Sequence, residues 1–98
     1  MLTSKQRAYL RSLAVNEDTI LMVGKSGMGP EVIKQADDAL EKRELIKGRV
    51  LPETCPVSPR EAAEELAQET GSDVVQVIGS RFVLYRRKKK DPKIVLPR

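Results

Sequence analysis

The sequence predicts an α/β fold, a two-layer α+β arrangement in which three helices cover a four-stranded mixed sheet. Apolar residues recur at helical spacing in three segments, and they form short runs or alternations in four others. These segments follow one another in the order α-β-α-β-α-β-β, and the strand-helix-strand succession near the start predicts a right-handed parallel crossover. With 98 residues, the chain is expected to form one domain over residues 1–98, of which 87–98 are a basic C-terminal extension.

The first helix is predicted to begin at Thr3. Thr3 and Gln6 have the spacing of a capping box, in which two side chains satisfy the free backbone donors of the first turn. The apolar face of this helix is predicted to consist of Leu2, Tyr9, Leu10 and Leu13. This pattern places Tyr9 in the core and leaves the basic residues of the helix on the opposite face.

The other two helices carry equally clear boundary signals. A second helix over roughly Pro30 to Arg43 begins with proline, which is favoured at the first helical position because its missing N–H is not needed there. Ser58 before Pro59, with Glu61 three positions after the serine, predicts the start of the third helix. Gly71 is expected to end that helix as a left-handed cap.

Four strands are predicted from shorter patterns. Ile20–Val23 is a continuous apolar run, which favours an interior strand covered on both faces. Leu45–Leu51 alternates instead, so that Lys47 and Arg49 share a partly wet face. The last two strands are predicted to form a hairpin: Val74–Ile78, a turn at Gly79-Ser80, and Arg81–Arg86. Ile94-Val95-Leu96 is expected to dock as a short extended segment.

The composition excludes several classes of function. The chain has no histidine and a single cysteine, Cys55, so it has no Ser-His or Cys-His pair, no disulfide framework and no histidine-based zinc site. We therefore predict no catalytic residues, no metal and no cofactor. No apolar run approaches the length of a membrane span, and the first residues lack the apolar stretch of a signal peptide. These features favour a cytoplasmic protein without a membrane partner.

The charge is unevenly distributed along the chain. Residues 1–16 carry three basic and no acidic residues, and residues 74–98 carry eight basic and one acidic. The middle, residues 17–73, carries seven basic and thirteen acidic residues. The basic ends indicate a polyanion as partner, with a solvated basic tail as the alternative.

The segment Gly24-Lys25-Ser26-Gly27 lies between a predicted strand and a helix start, where free N–H groups favour a phosphate. It matches the end of a nucleotide-binding P-loop, but Thr19 stands where that motif needs its first glycine, so no nucleotide cofactor is predicted. It also fits the GXXG loop that clamps the nucleic-acid backbone in KH-type domains. A simple turn is the third alternative.

Further cations extend this candidate phosphate surface beyond the loop. They lie on the first helix, on the second strand and in a consecutive run of five: Lys5, Arg7 and Arg11; Lys47 and Arg49; Arg86, Arg87, Lys88, Lys89 and Lys90. Aromatic residues are scarce, and Phe82 and Tyr85 point to opposite faces of the last strand. We therefore expect contacts to backbone phosphates with few stacked bases.

Several segments in this order resemble the CRM domain family in its stand-alone bacterial YhbY-like form. They are Leu2 to Ala14 for the family's first helix, Val23-Gly24-Lys25-Ser26-Gly27 for its GxxG loop, Arg43 to Lys47 for the start of its second strand, and Val75 to Gly79 with Val83 to Arg86 for its closing hairpin. The loop from Pro52 to Pro59, which contains Cys55, is not a family motif, and the run from Arg87 to Lys90 is richer in charge than the family leads us to expect.

The resemblance implies an RNA-binding domain, related in fold to the C-terminal domain of a bacterial translation initiation factor. It also implies association with large-subunit ribosomal RNA or pre-ribosomal particles, through the loop Gly24 to Gly27 and the basic first helix. The predicted function is therefore that of a non-catalytic RNA-binding protein in ribosome assembly. The alternatives are a protein-interaction adaptor on the ribosomal particle and a small RNA-modifying or nucleotide-dependent enzyme.

Overall fold

The computed structural model describes residues 2–24, 29–51, 57–88 and 92–97. The elements are α1 (Ser4–Ala14), β1 (Thr19–Val23), α2 (Pro30–Arg43), β2 (Leu45–Val50), α3 (Pro59–Thr70), β3 (Asp73–Ile78) and β4 (Arg81–Tyr85). The predicted α/β class, element order and four-stranded mixed sheet are confirmed. The predicted site residues Lys25, Ser26, Gly27, Lys89 and Lys90 lie outside the described residues, as does Cys55.

The predicted helix boundaries are confirmed by their capping interactions. In α1, the backbone N–H of Gln6 donates to Thr3 Oγ1 over 3.1 Å, and the N–H of Thr3 donates to Gln6 Oε1 over 3.1 Å. Ser58 and Glu61 form the same reciprocal pair at the start of α3. Gly71 ends α3 with φ 68° and ψ 33°, the left-handed conformation that glycine adopts without a steric penalty.

The strand order is β1-β2-β4-β3, with β1 parallel to β2 and the other neighbours antiparallel. β1 is therefore an edge strand, and the prediction that both of its faces are covered was wrong. Leu21 and Val23 are buried, but Ile20 and Met22 are 37% and 47% exposed on the other face. The reason is that α1, the helix on that side, packs over β2, β3 and β4.

Helices cover both faces of the sheet, which the two-layer expectation did not include. α2 and α3 bury one face around Phe82, Leu84 and Ile46. A second core lies on the other face, where α1 contributes Leu10 and Ala14. The first core depends on a close approach, because a Cβ at Gly48 would lie 2.3 Å from the Phe82 ring.

The C-terminal strap, residues 92–97, is part of the second core. Ile94 and Leu96 pack against that core, as expected for a docked extended segment, and Gln6 Nε2 donates to the carbonyl of Pro97. The strap is also bound by the carboxylate of Glu44, which follows α2 and is 1% exposed. The chain beyond β4 therefore returns to the body of the domain and stays there through both apolar and polar contacts.

Candidate nucleic-acid interface

The half of the sheet that α1 leaves uncovered forms an open face. Pairing in register places Met22 beside Arg49, Arg49 beside Arg81, and Arg81 beside Ile78, so one row crosses all four strands. Residues directly opposite each other on neighbouring strands point to the same side of a sheet. We use the name open face for this row together with the neighbouring Ile20, Lys47 and Gln76.

The open face is cationic. Arg49 and Arg81 are exposed, Lys47 is half-buried, and Arg11 reaches the same area from α1. Arg11, Lys47 and Arg81 line one groove of about 170 Å³ together with Gln76. Within the described part of the chain none of these cations forms an ion pair, although Lys47 Nζ donates to the carbonyl of Glu17 over 3.4 Å. Their charge is therefore free to attract an anion.

Acidic residues are nearly absent from the strands. The four strands contain one carboxylate, Asp73, which lies at the end of β3 away from the open face. Asp73 pairs with Tyr85, whereas the open face includes Ile78 and Arg81 at the other end of the hairpin. The positive potential of the open face is therefore not cancelled by neighbours on the same strands.

The predicted glycine loop begins at the edge of the open face. Val23 and Val50 are partners at the ends of β1 and β2, and Leu51 N–H donates to the carbonyl of Val23. Gly24 comes next, and a Cβ there would lie 3.3 Å from Leu51 Cδ1, so the backbone passes close to its neighbour. The loop thus begins two residues beyond Met22, which belongs to the row that includes Arg49.

The far end of the predicted loop leads into α2. Gly29 is the N-cap of this helix and supplies no side-chain hydrogen bond to its first turn. The first N–H groups of a helix so capped are available to a ligand or to water. With Gly24 on one side and Gly29 on the other, both described ends of the segment are compatible with a backbone that approaches a phosphate.

Two residues of α1 are not where the sequence pattern placed them. Residues three and seven apart share a helical face, so Arg7 lies on the same side as the buried Leu10 and Ala14 rather than opposite them. Arg7 is half-buried in a groove lined by Arg60 and β3, and its Nε is buried without a hydrogen-bond partner in the described chain. Tyr9, predicted to be in the core, is 38% exposed.

Arg86 is bound within the protein rather than presented to solvent. Its guanidinium forms ion pairs with Asp37, at 2.5 Å, and Glu41, at 3.2 Å, and also donates to the carbonyl of Thr70. Because its donors are satisfied by α2 and α3, the prediction of a free cation at this position is not supported. Arg87 is exposed, and Lys88 is half-buried with its backbone N–H directed at Glu44.

The sequence patterns missed Arg81 and the apolar part of the open face. Arg81 lies two residues before Val83 on β4 and therefore points to the same face of the sheet. Only the register of β2 against β4 brings Arg81 beside Arg49. Nothing in the local sequence specifies that pairing. Lys5 and Arg11, which were predicted, are exposed on α1, and Lys47 and Arg49 lie together on the open face as expected from their alternation.

Metal sites and membrane-spanning helices are absent from the part of the chain that the structure describes. In the described ranges no three His, Cys, Asp or Glu side chains are grouped so that they could hold a metal ion. No helix within those ranges has both the length and the apolar character needed to cross a bilayer. Burial, with a smaller contribution from Glu44, raises the pKa of the Tyr85 phenol.

The chain is similar in sequence to a family of known proteins. The model of the CRS1 / YhbY (CRM) domain matches residues 2–86. The Bacillus subtilis protein named "Probable RNA-binding protein YqeI" is 44% identical over 97 residues, which is 99% of this chain and 100% of that protein. A Haemophilus influenzae protein named "RNA-binding protein" is 34% identical, over 99% of this chain and 96% of its own length.

A solved structure agrees with the fold. The solution structure of a Staphylococcus aureus protein described as "a putative RNA binding protein" superimposes with a TM-score of 0.80. It is 50% identical and covers 99% of this chain and 100% of that one. The two sequence relatives likewise extend over the strap, which lies beyond the last residue matched by the domain model.

Proposed function

We propose that this chain, which belongs to the CRS1 / YhbY (CRM) domain family, is a cytoplasmic, non-catalytic RNA-binding protein that assists assembly of the large ribosomal subunit. The observation that carries the proposal is the cationic open face, whose exposed arginines have no acidic partner in the described chain. Relatives that match nearly the whole chain bear names that state RNA binding.

The chemistry of the open face suits a polyanion. Exposed lysine and arginine side chains neutralise phosphates and release bound counterions, which makes affinity fall steeply with salt. Contacts of this kind position the protein on the RNA without reading its sequence. Precursor ribosomal RNA, a folded polymer with many closely spaced phosphates, is the proposed partner.

The proposed binding residues extend beyond the open face. They comprise the loop together with cations of the first helix, the second strand and the C-terminal run: Gly24, Lys25, Ser26 and Gly27; Lys5 and Arg11; Lys47 and Arg49; Arg87, Lys88, Lys89 and Lys90. Arg81 joins them on the evidence of its place beside Arg49. Arg86 is left out because its guanidinium is paired with Asp37 and Glu41, and Arg7 because it is half-buried against β3.

A salt titration of paired variants tests the proposal. The probe is a transcribed fragment of large-subunit ribosomal RNA, and affinity is measured by fluorescence anisotropy over a range of KCl concentrations. Changing Arg49 and Arg81 to Gln should reduce the slope of log affinity against log salt by about two, near one per lost phosphate contact. The matched control changes Lys34 and Lys42 to Gln, two exposed cations of α2 on the other side of the sheet.

The outcomes separate RNA binding from the adaptor alternative. A slope that falls in the open-face variant and stays constant in the control supports direct RNA binding through this surface. Equal slopes in both variants would contradict the assigned surface. A protein that associates with pre-ribosomal particles but fails to bind naked RNA at low salt would be an adaptor. Crosslinking in cells, followed by sequencing of the bound RNA, checks the large-subunit target.

A further inference from the structure

We infer that the open face binds an unpaired RNA segment, whose bases contact apolar side chains while its phosphates contact the neighbouring arginines. This inference rests on the proposed RNA-binding function and specifies the class of RNA. The observation behind it is the position of exposed apolar residues. Of the six large hydrophobic side chains that the described chain leaves exposed, four lie on or beside the open face: Val15, Ile20, Met22 and Ile78.

The exposure of these side chains is substantial. Ile78 is 63% exposed, Val15 is 77% exposed, and Met22 is 47% exposed. Val15 and Ile78 line the same groove as Arg11, Lys47 and Arg81, so apolar and cationic groups border one depression. Clustered exposed apolar surface on a small domain typically marks a binding site.

The arrangement of the two kinds of residue favours RNA over a protein partner. In the row across the sheet, Arg49 and Arg81 occupy the two inner strands and Met22 and Ile78 the two outer ones. Protein interfaces show the reverse pattern, with an apolar core depleted of charge and a polar rim. This order, with cations at the centre and apolar groups on both sides, suits an RNA strand. Its phosphates would contact the central arginines, and its bases would contact the apolar side chains on either side.

Unpaired RNA is favoured over a duplex because only unpaired bases can lay a flat apolar surface on a protein. In a duplex the bases are stacked inside and the grooves present only their edges. Arginine planes can also stack on a free base, and the amide of Gln76, which lines the groove, can donate to and accept from a base edge. Aliphatic side chains here take the place of the aromatic platform that the sequence lacks.

The test compares one RNA in two forms. The probes are a mixed-sequence single-stranded RNA of twelve nucleotides and the blunt duplex that it forms with its complement. Met22→Ser combined with Ile78→Ser should weaken binding of the single strand by about fivefold, which is the lower end of what stacking of one base on an aromatic side chain contributes. Binding of the duplex should change by less than about twofold, since phosphate contacts remain.

Matched variants control for folding and for general loss of apolar surface. Val95→Ser removes a side chain that is 80% exposed on the strap, and it should leave both affinities unchanged. If the double variant has a lowered thermal midpoint, Ile78→Ser alone replaces it in the binding test, because Ile78 is the more exposed of the two side chains. Arg49→Gln should weaken both forms, because a phosphate contact does not distinguish them.

Each result has a defined meaning. A loss confined to the single strand supports the inference. An equal loss for both forms, or none in either, overturns it and leaves phosphate binding by the face intact. If the apolar variants keep their RNA affinity but dissociate from pre-ribosomal particles, the apolar residues bind a protein and the inference is wrong. If the unaltered protein binds neither form even at low salt, the proposed function itself fails.

Discussion

Replacing Glu44 with Gln should destabilise the protein by releasing the C-terminal strap. One carboxylate oxygen of Glu44 accepts the backbone N–H groups of Lys93, at 2.5 Å, and Ile94, at 3.1 Å. The other accepts the N–H of Lys88 at 3.3 Å. The side chain is 1% exposed, so water does not compete for these bonds. The carboxylate therefore joins the end of α2 to both sides of the segment between Lys88 and Lys93.

The size of the effect follows from this geometry. Glutamine keeps one oxygen, which can still accept two of the three N–H groups. Its amide NH₂ faces the third N–H and cannot accept from it, so one hydrogen bond is lost. The two remaining bonds are made to a neutral oxygen and are therefore weaker. Hydrogen bonds to charged groups contribute about 1.5–3 kcal/mol each, so a net loss of about 2–4 kcal/mol is expected. For a domain of this size, that lowers the thermal midpoint by roughly 10–25 °C. Glu44 has φ 66°, and any backbone strain there cancels because glutamine shares it.

Thermal unfolding followed by circular dichroism measures this loss. Glu65→Gln, at an exposed position on α3, is the control and should shift the midpoint little. A chain ending at residue 91 lacks the Lys93 and Ile94 donors, so Glu44→Gln should cost clearly less in that background. An equal cost in both backgrounds would refute the reasoning, because the carboxylate would then stabilise something other than the strap.

Two predictions concern the loop and the C-terminal basic run of the proposed RNA surface. Lys25→Ala should weaken ribosomal RNA binding by about 1 kcal/mol, similarly for RNAs of different sequence, since a phosphate contact positions without specifying; unchanged affinity at low and moderate salt would leave the loop as a simple turn. Changing residues 88–90 together to Gln should reduce the salt slope by up to about three with little change in stability. An unaltered slope would show that the run does not contact RNA.

The local elements could be predicted because their signals are local. A capping box at Thr3 or Ser58 needs only side chains three residues apart, and the left-handed turn at Gly71 needs only a residue without a Cβ. The same holds for the turn at Gly79, whose φ is 58°. For these features the chain near each residue supplies the interacting atoms, so no tertiary information was required.

The candidate site could be predicted only in part, because some of its residues come together through contacts between distant parts of the chain. Lys47 and Arg49 share a face because they are two residues apart on one strand, and this spacing can be read from the sequence. Arg81 and Ile78 join them only through strand register, and Arg86 is removed from solvent only because Asp37 lies nearby on α2. Pairings between residues that are distant in the chain leave no periodic signal.

Local patterns in the sequence were enough to predict the number, type and order of the elements, together with the positive charge at both ends of the chain. Which strand lies at the edge, and which backbone groups bind the carboxylate of Glu44, depends on long-range packing. The apolar run Ile20–Val23 favours a central strand, yet it lies at the edge, because local composition does not record what covers each face. Placement of α1 over β2, β3 and β4 leaves Ile20 and Met22 exposed beside Arg49, and Glu44 reaches Lys93 only once the chain has folded back. The open face is therefore a product of strand order.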